Sequence, residues 1–77
     1  MLPELLRHLV TPLLDNPEKA KIDHIDTENT DIFLLSVAEE DRGHILGKDG
    51  KTADSIRTMM NRVGEHYERD IVLDILD

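Results

Sequence analysis

The chain has 77 residues, a net charge of −8 and no cysteine. This length allows one domain, 1–77, with a thin core, so a large substrate cavity is not expected and an enzyme is disfavoured. Without cysteine there is no disulfide and no thiolate nucleophile or ligand. The first residues lack a positively charged leader, and no apolar run reaches the roughly 18 residues that span a bilayer. A cytoplasmic protein without membrane contact is therefore expected.

The N-terminal segment has the apolar spacing of a helix. Apolar residues recur at intervals of three and four, which predicts an amphipathic helix over residues 3–14. Pro12 should kink or restart its last turn, because proline lacks the N–H that would bond to the preceding turn. Residues 15–18 then predict a turn. The apolar positions are Leu2, Leu5, Leu6, Leu9, Val10, Leu13 and Leu14.

Two strands follow. Residues 21–26 predict one only weakly, because Ile22 and Ile25 do not share a period-two face. Residues 31–37 form a β-branched and aromatic run that is apolar on both faces, which is typical of a central strand. Turn residues at 27–30 separate the two runs, so an antiparallel hairpin is expected.

The C-terminal half contains two helical segments and a strand. Acids at 39–41 suit a helix N-terminus, and a short segment at 42–46 is followed by Gly47 and Gly50. Apolar residues at helical spacing predict a longer helix over 51–66, and residues 70–76 alternate as a strand. A helical crossover makes that strand parallel to a neighbouring earlier one. The sequence predicts an α+β fold with the order α-β-β-α-α-β and a three-stranded mixed sheet covered on one face by helices.

The charge is unevenly distributed. Residues 42–62 carry five basic and two acidic side chains, whereas the rest of the chain is strongly acidic. The overall charge argues against nonspecific binding of polyanions. The basic segment contains Gly47-Lys48-Asp49-Gly50, in which two glycines form a tight turn that a ligand can approach closely. Because this turn precedes a predicted helix N-terminus, it suits a phosphate group.

The string Ile45-Leu46-Gly47-Lys48-Asp49-Gly50, followed by Lys51-Thr52-Ala53-Asp54-Ser55-Ile56-Arg57, resembles the KH domain. Nearly the whole chain is similar to the small single-domain KH proteins of bacteria, the KhpA/YlqC kind. Placement of the first helix and strand before the core resembles the type II KH fold. In that family the GxxG loop clamps the backbone of about four nucleotides of single-stranded RNA.

The resemblance implies a role for each residue of the loop region. Gly47 and Gly50 would shape the loop, while Lys48, Asp49 and Lys51 would face phosphates. A second group would line or underlie the groove for the bases: Ile45, Leu46, Ala53 and Ile56. The arginines Arg42, Arg57 and Arg62 would contact the RNA backbone or would be solvated helix charges. Because Asp49 repels phosphate and the chain is acidic, weak and salt-sensitive binding by a monomer is expected.

Other sites find less support. Gly50-Lys51-Thr52 ends like a nucleotide-binding P-loop, but that motif requires glycine at position 45, where Ile45 stands. The four histidines share no spacing typical of metal ligands, so neither a metal nor a cofactor is expected. With few aromatic residues, base recognition would rely on aliphatic contacts, as a KH groove does.

Apolar residues on both faces of the strands point to a covering partner. The resemblance implies a homodimer or a heterodimer with a second KH protein. The expected function is that of an RNA chaperone or post-transcriptional regulator. The alternative is a protein-interaction module, used for dimerisation or docking, whose RNA site is weak or vestigial.

Overall fold

The first helix ends where Pro12 interrupts it. The computed structural model describes residues 1–76, and helix α1 covers Leu2–Val10 before a 3-10 turn at Thr11–Leu13. Proline cannot donate a hydrogen bond to the preceding turn, and the last α-helical bond comes from Thr11, whose N–H and hydroxyl both donate to the Arg7 carbonyl, the hydroxyl at 2.7 Å. The predicted interruption at Pro12 is confirmed, whereas the predicted extent of the α-helix to residue 14 is wrong.

Three strands form one sheet in the order β1-β2-β3. Strand β1 covers Lys21–Asp26, β2 covers Thr30–Ser36 and β3 covers Asp70–Ile75. Strands β1 and β2 pair antiparallel, and β2 and β3 pair parallel, with Phe33 opposite Leu73. The predicted hairpin and parallel crossover are confirmed. The predicted bounds of β2 and the end of β3 lie one residue too far along the chain.

The crossover between β2 and β3 contains two helices. Helix α2 covers Arg42–Leu46 and helix α3 covers Lys51–His66, with a 3-10 turn at Lys48–Gly50 between them. Further 3-10 turns lie at Pro17–Lys19 and Glu39–Asp41. The order helix, two strands, two helices, strand is that of the expected type II KH arrangement. None of the helices within residues 1–76 is long and apolar enough to cross a membrane.

The core lies between one face of the sheet and the helices. Alternate residues of β2 are buried, because successive side chains of a strand point to opposite faces. The other face of the sheet, called the outer face below, is less covered: Ile25 and Val72 are each 48% exposed there, and Ile32 and Leu34 are half-buried. The core residues are Leu2, Leu6, Val10, Leu14, Phe33, Leu35, Ile45, Ile56, Met60 and Leu73.

A tight turn joins α3 to β3. The Glu68 N–H donates to the Glu65 carbonyl at 3.1 Å, and the Arg69 N–H donates to the Gly64 carbonyl at 2.9 Å. Glu68 has φ +56°, so these bonds form a Schellman motif. A Cβ at Gly64 would overlap the Ile71 side chain and the Arg69 carbonyl. Glycine at this position therefore lets β3 pass close to the end of α3.

Arg69 holds the start of β3 against the β1–β2 turn. Its Nε donates to Asp31 at 2.9 Å, its Nη2 donates to Asp26 at 2.6 Å, and it also bonds to carbonyl groups of residues 27, 28 and 30. His24 lies 2.6 Å from the other Asp31 oxygen and stacks on Phe33. The hydrogen bond from Arg69 holds the pKa of Asp31 below its usual value, because it outweighs the opposing effect of burial.

Candidate nucleic-acid interface

The Gly47–Gly50 segment forms a turn whose backbone lies largely in the left-handed half of φ/ψ space. Gly47 has φ +73° and ψ 176°, and Gly50 has φ +75° and ψ 9°. Between them Asp49 has φ +57°, an uncommon value that Asp tolerates better than most residues. The Gly50 N–H donates to the Gly47 carbonyl at 3.2 Å, which closes the turn. The conformation therefore explains why glycine occupies both ends.

The two glycines differ in their surroundings. A Cβ at Gly47 would overlap the side-chain oxygen and Cβ of Thr52, whereas a Cβ at Gly50 would meet nothing within 4 Å. Gly47 therefore packs directly on the first turn of α3, and Gly50 is required only for its backbone conformation. Thr52, to which the sequence interpretation gave no role, fixes the distance between the loop and α3.

The loop leads into the N-terminus of a 16-residue helix. Gly50 is the N-cap of α3 and provides no side-chain cap. The Lys51 N–H donates to the Lys48 carbonyl of the preceding 3-10 turn, and the next N–H groups of the first turn lack intrahelical partners. The side chains of Lys48, Asp49 and Lys51 are exposed around this end. The helix dipole and two lysines favour an anion here, and the Asp49 carboxylate opposes it. The fold thus brings together the five loop residues that the sequence predicted.

The apolar candidates divide into buried and exposed positions. Ile45 is 0% exposed, Ala53 1% and Ile56 2%, and all three lie in the core. These residues were expected either to line or to underlie the groove for the bases. Because they present almost no surface to a ligand in this conformation, they can underlie the groove but cannot line it. Leu46, at the end of α2, is 38% exposed and is the apolar candidate that borders the loop at the surface.

The three candidate arginines occupy different environments. Arg42 is half-buried, and its Nε is a buried donor without a partner among the described residues. Arg57 is half-buried: its Nε donates to the Leu73 carbonyl at 3.1 Å, and its Nη1 lies 3.4 Å from Asp54. Arg62 is exposed on α3. The arginines therefore do not form one basic patch, and only Arg57 is tied to β3.

Asp41 fixes the start of α2 to the chain after α1. Its side chain is fully buried, and its two oxygens accept the N–H groups of Asp15 at 2.9 Å and Asn16 at 2.8 Å. Burial raises the pKa of Asp41, but the N–H donors outweigh burial and hold the pKa below its usual value. The sequence placed acids here at a helix start, yet no local signal identifies partners 25 and 26 residues earlier.

Asp41 also belongs to a group that could hold a cation. One ligand atom each of Asp15, Asp41 and His44 lies within 4.8 Å of the others, and His44 Nε2 is 3.3 Å from Asp15 Oδ2. No sequence motif predicts this group, because its members come from separate segments. Asp41 already accepts two backbone hydrogen bonds and the other two side chains are exposed. The group is therefore explained by the backbone hydrogen bonds to Asp41 and by the contact between Asp15 and His44 at the surface.

The comparison with known proteins agrees with this geometry. The model of the family described as KhpA/KhpB, KH domain, matches residues 3–75. The RNA-binding protein KhpA of Listeria monocytogenes is 38% identical over 74 residues, covering 96% of this chain and 97% of that protein. The Bacillus subtilis protein of the same name is 34% identical over 76 residues, covering 99% and 94% respectively.

A third relative, the RNA-binding protein KhpA of Chlamydia pneumoniae, is 35% identical over 74 residues, which cover 96% of this chain and 95% of that protein. No solved structure matches the chain significantly.

Proposed function

Since the chain belongs to the KhpA/KhpB family of KH domains, we propose that it binds single-stranded RNA through the Gly47–Gly50 loop. The named relatives are RNA-binding proteins. These relatives are named for RNA binding rather than for catalysis, in agreement with the expectation that the chain is not an enzyme. The match over residues 3–75 supports treating the chain as one KH domain.

One observation carries the proposal. Gly47 and Gly50 hold a left-handed turn against Thr52 at the uncapped N-terminus of α3. A phosphate placed there would meet backbone N–H groups and the positive end of the helix dipole. Lys48 and Lys51, both exposed, supply the mobile charges that a phosphate backbone requires. In this arrangement the loop contacts the backbone of about four nucleotides and carries no base preference of its own.

The proposal is tested by reversing one charge in the loop. We expect Lys48→Glu to weaken binding of a labelled single-stranded RNA at least about tenfold at low salt, because it replaces one phosphate contact by repulsion. The control is Arg7→Glu, which makes the same change of charge at an exposed position of α1. Fluorescence anisotropy measures both variants. Equal affinities for Lys48→Glu and the natural protein would refute the loop as the binding site.

A second candidate function is association with another KH subunit through the outer face of the sheet. Apolar side chains of all three strands meet on that face, and those of Ile25 and Val72 are about half exposed. Monomeric proteins rarely leave such groups uncovered when they are contiguous. The family name, which joins KhpA with KhpB, supports a KH protein as the partner. This candidate is compatible with RNA binding, since the loop lies between helices that cover the opposite face.

We further propose that the biological role is that of an RNA chaperone or post-transcriptional regulator acting in the cytoplasm, where bacterial transcripts are located. The support is chemical: the chain offers a small clamp for the RNA backbone and few aromatic residues for stacking. Such a clamp holds a strand without enclosing it. Sequencing of RNA crosslinked to the protein in cells, compared between the natural chain and Lys48→Glu, tests this role. Recovery of the same transcripts at the same yield with both chains would contradict it.

A further inference from the structure

Arg57 bridges α3 and the free edge of the sheet. It lies in the second turn of α3 and donates from Nε to the Leu73 carbonyl of β3 at 3.1 Å. Because β1-β2-β3 is the strand order, β3 is an edge strand with one unpaired side. The Arg57 side chain therefore spans the strip of surface between α3 and this edge.

The hydrogen bonds of β3 show that the Leu73 carbonyl points toward the unpaired edge of the sheet. The N–H groups of Asp70 and Leu76 donate to the Asn29 and Leu35 carbonyls, which lie on the β2 side. In a parallel ladder alternate residues direct their peptide groups to the same neighbour. The intervening odd-numbered residues, including Leu73, consequently direct theirs toward the unpaired edge. The hydrogen bond to Arg57 thus occupies a group that would otherwise be available to a ligand.

This hydrogen bond fixes the guanidinium without consuming its terminal donors. A guanidinium has five N–H groups, of which Nε carries only one. Of the four on the terminal nitrogens, only Nη1 is engaged among residues 1–76, in a long contact of 3.4 Å with Asp54. That carboxylate is 75% exposed and the Arg57 side chain is 38% exposed. The Arg57 side chain is therefore held by its Nε, has two further planar donor groups at its end and is partly accessible to solvent.

The position suits a base rather than a phosphate. With a rise of about 1.5 Å per residue, Arg57 lies about 10 Å along the helix from Gly50, inside a footprint of about four nucleotides. In the proposed binding mode, Lys48 and Lys51 at the start of α3 contact the phosphates. A guanidinium whose orientation is already fixed loses less entropy on binding a partner of matching geometry.

We infer that Arg57 selects the base bound beside the loop and favours one with two adjacent hydrogen-bond acceptors. Guanine presents the adjacent acceptors O6 and N7, and cytosine presents O2 and N3. On the corresponding edges of adenine and uracil, a hydrogen-bond donor stands next to each acceptor, so neither base offers two adjacent acceptors. This inference rests on the proposed RNA binding and deepens it. It assigns Arg57 a role in specificity, in place of the nonspecific backbone contact expected from the sequence.

The inference is tested with eight-nucleotide RNAs that are uracil throughout or carry a single adenine, cytosine or guanine at a central position. We expect the cytosine or guanine RNA to bind about tenfold more tightly than the others, since a bidentate contact typically discriminates by about 5- to 150-fold. Arg57→Lys should remove this preference and lower the affinity for the uracil RNA less than about threefold. The control, Arg62→Lys on the same helix, should keep the preference.

Further arms separate the possible outcomes. Replacing guanine by 7-deazaguanine removes N7 and should abolish a guanine preference without affecting a cytosine preference. If Arg57→Lys does not fold, Arg57→Gln replaces it, because the glutamine amide can still donate to the Leu73 carbonyl. A preference that survives in whichever of these Arg57 variants folds, or tight binding with no preference in the natural protein, overturns the inference alone. Absence of binding to all four RNAs overturns the proposed function as well.

Discussion

At the scale of single residues, two residues of the same type can have different structural roles. Gly47 and Gly50 both have positive φ, yet only Gly47 is in contact with Thr52 at the place where a Cβ would stand. Asp41 and Asp49 are both carboxylates near the loop, but Asp41 is buried with two N–H donors and Asp49 is exposed. The consequence of a substitution therefore depends on what the tertiary structure places beside it.

The two glycines provide a matched pair of variants. Gly47→Ala should lower the free energy of unfolding by about 2 to 4 kcal/mol, because it combines a strained backbone with an overlap. Gly50→Ala should cost only about 1 kcal/mol, the penalty for a left-handed backbone in open space. Urea denaturation measures both values. Equal losses would show that the packing against Thr52 does not contribute.

Acid should destabilise the protein partly through Asp31. Its pKa is lowered in the folded state, chiefly by the Arg69 hydrogen bond, whereas an unfolded Asp has a pKa of about 3.9. The stabilisation is therefore complete above about pH 5 and is lost as the pH falls below about 4 through the lower folded-state pKa. We expect Asp31→Asn to be less stable at pH 7 and to show a shallower acid decline.

Thermal unfolding between pH 2 and pH 7 measures this effect. The control is Asp74→Asn, which changes an exposed carboxylate on β3 and should leave the acid decline close to that of the natural protein. An acid decline of unchanged steepness in Asp31→Asn would assign the effect to other carboxylates, of which Asp41 is the first to examine.

At the scale of elements, α3 organises most of the molecule. Its N-terminus carries the loop, its buried face packs on the sheet and α1, and its C-terminal Schellman motif returns the chain to β3. Three further ties hold β3 in place: the parallel ladder with β2, the Arg57 bond and the Arg69 bonds. Strand β3 is thus held on one side by the ladder with β2 and at its other edge by Arg57. The outer face of the sheet remains as the main open apolar surface.

A charge on the outer face should prevent association if that face joins two subunits. We expect Val72→Lys to convert a concentration-dependent dimer to a monomer in sedimentation velocity, because burying an ammonium group in an apolar contact is strongly unfavourable. Thr58→Lys, an exposed change on α3, is the control and should leave association unchanged. Dimers of undiminished stability in Val72→Lys would place the contact elsewhere.

At the scale of the whole molecule, charge and fold act in opposite directions. The chain carries −8 overall, whereas Lys48 and Lys51 lie at the loop and the start of α3. An RNA approaching from a distance meets net repulsion, whereas one at the loop meets the helix dipole and the lysines. Affinity should therefore depend on a few local contacts rather than on the overall field.

Salt dependence measures the number of those contacts. If Lys48 and Lys51 each neutralise one phosphate, log affinity should fall with log salt at a slope of about −1.4, which is about −0.7 for each phosphate on a single strand. Raising salt from about 50 to 200 mM should then weaken binding about sevenfold. Lys48→Glu should make the slope shallower by about 0.7 or more, which corresponds to the loss of at least one phosphate contact. A slope near zero for the natural protein would exclude phosphate contacts as the source of affinity.

The sequence by itself determined the elements and their order, because hydrophobic periodicity, glycines and proline act within a few residues of chain. It also identified the loop, whose residues are contiguous. Only the tertiary structure decided which residues are buried or joined over long separations, such as Asp41 with Asp15, Arg69 with Asp31 and Arg57 with Leu73. Such contacts depend on how helices and strands pack, and they cannot be predicted from the spacing of residues along the chain. For the same reason, the sequence left open whether Ile45 and Ile56 line or underlie the groove, and the structure shows that both are buried.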